Sequence, residues 1–170
     1  MRARKRQRGS VLVEFTIAGF AGVTLMVTTI QLGLAMWHYH TLAQAVHETN
    51  RYIASHGRSC SSGGNNCTIT VGDIATKLKS NAIGMSASSL NMTLTSQSGT
   101  TIDCNPISGH ESDTTQWPPA AGFDNNPGNS TKISASVTMN SGIILLWYGM
   151  TGQQKGSITL RSTSKVPIVF

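Results

Sequence analysis

The chain has 170 residues, a formal net charge of +6 and only 12% charged residues. Five of its thirteen Lys and Arg (Arg2, Arg4, Lys5, Arg6 and Arg8) precede Gly9, and beyond them eight basic residues face seven acidic ones. The basic character therefore belongs to the first nine residues. No basic patch remains elsewhere to hold a polynucleotide, and the length leaves room for one small domain beside a membrane segment.

Residues 11–37 form a long apolar run in which Glu14 is the one ionisable side chain. About 20 apolar residues in helical form cross a bilayer, so this run is long enough to span one. The Arg/Lys block before it and the absence of another basic residue until Arg51 predict a cytoplasmic N-terminus and an exported remainder. Trp37 and Tyr39 follow the run, where an interfacial aromatic belt sits. A removable signal peptide is the competing reading, but it requires a shorter apolar stretch ending at a small-residue cleavage site. Here the apolar residues continue well past Ala18, Gly19, Ala21 and Gly22. Glu14 is the anomaly, because a carboxylate in hydrocarbon costs a few kcal/mol and is kept only with a partner or a purpose. In an intact chain it would reach the membrane surface. The alternative is that it pairs with an amine on a neighbouring subunit.

Beyond Trp37 the pattern changes from apolar all round to one-faced. Leu42, Ala45, Val46, Thr49 and Ile53 recur at three- and four-residue spacing, which predicts that the helix continues as an amphipathic spine over residues 38–57. Gly57 is a suitable stop. A helix from Ser10 to His56 would be about 70 Å long. Within residues 11–37, Ala18 with Gly22 and Thr29 with Gly33 are small-residue pairs that let helices approach closely.

Cys60 and Cys67 flank a loop rich in Ser, Gly and Asn, pliable enough to bring them together as a disulfide. Export permits such a bond. Cys104 is then free or partnered between chains, and pairings through it stay open. Asp73 can cap a short helix running to Ala82, with Ile74, Leu78 and Ala82 on its apolar face. Residues 89–96 alternate, with Leu90, Met92 and Leu94 on one side, as a half-buried strand does. Residues 96–129 read as a long loop with Trp117 and Phe123 as its large apolar anchors. Residues 132–139 alternate again, residues 143–148 are an apolar run (strand or buried turn), and residues 156–165 are a last strand with Ile158 and Leu160 facing inward. Helix followed by strands gives an α+β fold. The expectation is a long N-terminal transmembrane helix continuing into a small exported domain, residues 58–170, with three or four antiparallel strands.

Catalytic chemistry finds no foothold. His40 and His47 share a helical face but His38 does not, and no further ligand completes a metal site. His47-Glu48 lacks the second histidine of a zincin. There is no G-x-S-x-G elbow and no phosphate-binding glycine loop. The reading is a non-enzyme with no cofactor and no metal.

Two stretches carry a family resemblance. Arg8-Gly9-Ser10, Val13-Glu14-Phe15, the run from Trp37 through Leu42, and Arg51-Tyr52 resemble the TadE-like pseudopilins of tight-adherence (Tad, type IVb-like) pili. The tail with Ser157-Ile158-Thr159-Leu160 and Ser162-Thr163-Ser164 is similar to that family's closing strand. The resemblance implies that residues 1–9 are a leader removed by a prepilin peptidase between Gly9 and Ser10, and that Glu14 serves assembly inside the membrane. The implied partners are that peptidase, other pilin or pseudopilin subunits, the inner-membrane assembly platform and the bilayer. The implied location is the bacterial inner membrane, single-pass, with the C-terminal domain periplasmic before any passage into an extracellular pilus. The alternative is an uncleaved bitopic envelope protein whose exported domain binds a surface or another envelope component.

Overall fold

The computed structural model describes residues 7–57, 69–140 and 157–169. The chain divides into two units at Met36/Trp37, inside the first helix. Helix α1 runs over Gln7–Ala54, about 70 Å at the usual rise per residue. In the first unit, the large apolar side chains from Val11 to Met36 stand exposed, with Phe15 at 78% and Leu25 at 71%. Soluble chains rarely leave so continuous an apolar surface in water. The polar side chains in this stretch are made compatible with lipid by their own backbone. The hydroxyls of Thr16, Thr24, Thr28 and Thr29 each donate to the carbonyl four residues earlier at 2.7–2.9 Å.

The second unit begins at Trp37. There α1 buries one face: Leu42, Ala45, Val46, Thr49, Asn50, Ile53 and Ala54 are all nearly or wholly inaccessible. That is the i, i+3, i+4 stripe expected of an amphipathic helix against a core. Asn50 is the polar exception. Its Nδ2 donates to Ser164 Oγ at 3.1 Å, while its Oδ1 has no partner among the described residues.

The remaining elements are β1 (Ile69–Thr70), α2 (Val71–Asn81), β2 (Leu90–Thr95), β3 (Thr101–Cys104), β4 (Gln116–Trp117), β5 (Ser130–Asn140) and β6 (Ser157–Pro167), with single 3-10 turns at Ile107–Gly109 and Ala121–Phe123. Four of the strands make one antiparallel sheet in the order β3-β2-β5-β6. Its inner face carries Leu90, Met92 and Leu94 of β2, Cys104 of β3, and Ile133, Ala135 and Val137 of β5, in one hydrophobic core with α1 and α2. This is the α+β architecture expected from the sequence. The strand next to α1 is lined with small residues. Alternate β6 positions Ser162 and Ser164 are half-buried, and Ser164 receives the Asn50 bond.

The start of α2 shows how its helix is fixed. Thr70, not Asp73, is the N-cap: Asp73 N–H donates to Thr70 Oγ1 at 3.1 Å, and Thr70 N–H donates to Asp73 Oδ2 at 2.9 Å. This reciprocal capping box satisfies two backbone donors. The next two, Val71 N–H and Gly72 N–H, donate to the carbonyls of Thr115 (2.8 Å) and Asp113 (2.9 Å). A glycine is required there, since a β-carbon on residue 72 would lie 2.7 Å from the Glu111 carbonyl oxygen.

Residues 96–129 depart most from expectation. Rather than one loop, they contain β3, the short β4 paired with β1 through Ile69 opposite Trp117, and both 3-10 turns. Trp117 and Ile107 are buried, but Phe123 is 61% exposed and is not one of the core side chains. Asp124 is the anchor instead, accepting from Ser98 N–H at 3.0 Å and from the Ser98 hydroxyl. Ile158 is also less inward than its alternation suggests, at 38% exposed, whereas Leu160 packs against the core. Residues 143–148, Cys60 and Cys67 lie outside the described residues. The chain end returns to α1: Val169 N–H donates to the Ala54 carbonyl at 3.0 Å, filling one acceptor that a helix C-terminus leaves open.

Candidate functional site

Gly9 and Ser10 lie in the first turn of α1. One turn further on, Glu14 is exposed on the apolar stretch. Glu14 has no hydrogen-bond or ion-pair partner among the described residues, in contrast to the threonines around it. With the hydroxyls satisfied internally, Glu14 is the polar group in this stretch whose chemistry is left over. A carboxylate so placed calls for an opposite charge from outside its own helix.

Cys104 sits on β3 opposite Met92 and is a free thiol with no accessible surface. Burial pushes its pKa up to about 11, with the nearby carboxylates of Asp113 and Asp103 adding to the shift. A bond from Cys104 to another chain would require the edge of the sheet to open. Among the described residues, no three His, Cys, Asp or Glu side chains gather as metal ligands do.

The outer face of the sheet is a second cluster, and the sequence alone did not reveal it. Strand alternation assigns outward positions, but only the register shows which of them meet. Ser134 faces Thr163, Ser136 faces Arg161, Thr138 faces Thr159, and Lys132 lies directly opposite Lys165. With Asn91, Thr93, Asp103 and Asn105, several of these line a concavity of about 650 Å³. Asp103 is held by the Thr93 hydroxyl at 2.7 Å. None of Lys132, Arg161 and Lys165 forms an ion pair among the described residues, and like charges directly across a ladder repel.

Among the described residues one helix, near the N-terminus, is long and apolar enough to cross a membrane, and it leads into a small α+β domain, as in a single-pass membrane protein. Residues 9–51 match the family model described as TadE-like protein. The match covers about a quarter of the chain, so it is the apolar stretch and the spine that are similar to this pilus-associated family. The match begins at Gly9 and includes Glu14, the apolar stretch and most of the buried stripe of the spine. Neither curated proteins nor solved structures gave a match.

Proposed function

We propose that this protein is a pseudopilin or minor pilin, cut by a prepilin peptidase between Gly9 and Ser10, that takes part in assembling or initiating a tight-adherence pilus. The observation that carries the reading is the coincidence of the TadE-like match, starting at residue 9, with an exposed apolar helix bearing one unpartnered carboxylate. Cutting after Gly9 releases the amine of Ser10, a cation that exists only in the mature chain. In a water-poor bundle of helices, that amine on one subunit and Glu14 on its neighbour attract far more strongly than in water. The apolar side chains around them are covered by lipid before assembly and by other helices after it.

In this reading the leader is residues 1–9, the membrane helix is residues 11–37, the spine is residues 38–57, and the domain completed by residues 58–170 is exported. The leader's cations keep the N-terminus cytoplasmic, placing the domain in the periplasm and then along a pilus. The peptidase, the other pilin-like subunits and the inner-membrane assembly platform are the partners. Cys60 and Cys67 close a local disulfide after export. The protein acts as a structural component and catalyses nothing itself. The second reading, an uncleaved envelope protein that binds through its domain, is favoured by one feature, the polar outer face with its uncompensated cations. The intact mass of the membrane-extracted protein tests the two. A chain starting at Ser10 supports the pilin reading, and one that keeps residues 1–9 supports the anchor.

A further inference from the structure

The turn after α2 carries an exposed apolar side chain, Ile83, next to a glycine that lies against Trp37, the residue at the end of the apolar stretch. α2 closes with Ala82 N–H donating to the Leu78 carbonyl at 2.9 Å, and Met85 N–H returns to the Ala82 carbonyl at 3.2 Å. Ala82 is buried and Met85 packs against the core, yet Ile83 between them is 67% exposed. Gly84 adopts φ +81, and a β-carbon there would lie 2.7 Å from Cη2 and 3.0 Å from Cζ3 of Trp37. The backbone of the turn therefore rests on the Trp37 ring. A lone exposed isoleucine is ordinary. This one is unusual because its neighbour in the chain touches the tryptophan that directly follows the apolar stretch.

The surroundings fit the same environment. The serines after the turn satisfy one another, with Ser86 Oγ and Ser88 Oγ 2.8 Å apart and Ser89 Oγ donating to the Ser86 carbonyl at 2.9 Å. Between Asp73 and Asp103 the chain has no carboxylate; of its two cations Lys79 is paired with Glu111 at 2.8 Å, and Lys77 lies over the Tyr52 ring, 5.8 Å from its centroid. An anionic surface would therefore meet nothing in this segment that repels it.

We propose that the turn at Ile83 and Gly84 is a second membrane contact, inserting Ile83 at the boundary between headgroups and acyl chains beside Trp37. Aromatic residues favour that boundary, and an apolar side chain there gains burial without leaving the domain. The contact rests on the reading of the apolar stretch as a membrane span. It ties the domain to the bilayer at a point separate from the helix, so the unassembled subunit is held at two points.

The test is photocrosslinking of the full chain in phosphatidylethanolamine/phosphatidylglycerol nanodiscs, with a benzophenone amino acid replacing Ile83, Leu25 or Thr163 in turn. Ile83 and Leu25 are both largely exposed, so neither replacement disturbs the core. Mass spectrometry after irradiation is expected to show phospholipid adducts at positions 83 and 25 and none at 163 on the outer sheet face. Lipid adducts at 25 but not at 83, or adducts at 83 with protein alone, overturn the membrane contact and leave the span intact. Absence of lipid adducts at 25 removes the span and the contact together.

Discussion

Replacing Asp124 with alanine should loosen the segment that joins β3 to β5. The carboxylate is 3% exposed and accepts from the Ser98 N–H and hydroxyl. Hydrogen bonds to a charged group are worth about 1.5–3 kcal/mol each, net of water. Ser98 is exposed, so water replaces part of what is lost, and a total of about 2–3 kcal/mol is expected. That is a large share of the roughly 5–15 kcal/mol that holds a domain together. Burial raises the pKa of this carboxyl, but the nearby Ser96 hydroxyl and the Ser98 N–H and hydroxyl outweigh it and the net shift is downward. A lowered folded-state pKa gives stability that is fully present above the unfolded value, about 3.9, and is lost as pH falls through the folded value. Urea unfolding of the detergent-solubilised protein, followed by near-ultraviolet dichroism, should show the full gap between parent and Asp124→Ala at neutral pH. The gap should narrow below about pH 4. Asp124→Asn, which keeps one acceptor, should recover roughly half. A neutral-pH gap below about 0.5 kcal/mol, or a gap that stays constant in acid, would refute the assignment of Asp124 as the clasp.

Gly72→Ala places a methyl group 2.7 Å from the Glu111 carbonyl, so it should cost about 1–3 kcal/mol and raise hydrogen exchange at residues 111–115. Unchanged exchange there would mean the close approach is absent in solution. Cys104, with its thiol pushed up to about 11, should resist alkylation at pH 8 in the native protein, where only about a thousandth is thiolate, and should react once unfolded; rapid native labelling would contradict its burial. Gly9→Leu should leave residues 1–9 attached, read as a heavier mature chain, and normal processing would rule out this cleavage site. Glu14→Gln keeps the size and loses the charge, so it should insert in the membrane yet fail to enter or initiate pili. Assembly equal to the parent would show that Glu14 has no electrostatic part in docking.

The elements legible in the sequence are those whose signal is local. The apolar stretch of α1 is recorded in consecutive residues. The buried stripe of Leu42, Ala45, Val46, Thr49 and Ile53 follows from helical period, and β2 and β5 from alternation. The capping box is also local, as Thr70-Val71-Gly72-Asp73, with Thr70 at the cap and Asp73 returning the reciprocal bond. Other features had no local signal. β3 is four residues long and β1 and β4 are two each, too short for a period to register. Their existence depends on partners far along the chain, as Ile69 depends on Trp117. The inward direction of Cys104, the role of Asp124 in holding the β2–β3 turn, and the pairing of Lys132 with Lys165 are likewise settled by register. The approach of Gly84 to Trp37 follows from the packing of α2 against the spine. Periodicity states which side of an element seeks the core, because side-chain direction repeats along the backbone. Which elements then meet is decided only when the chain closes its long loops and the separate faces find a common interior.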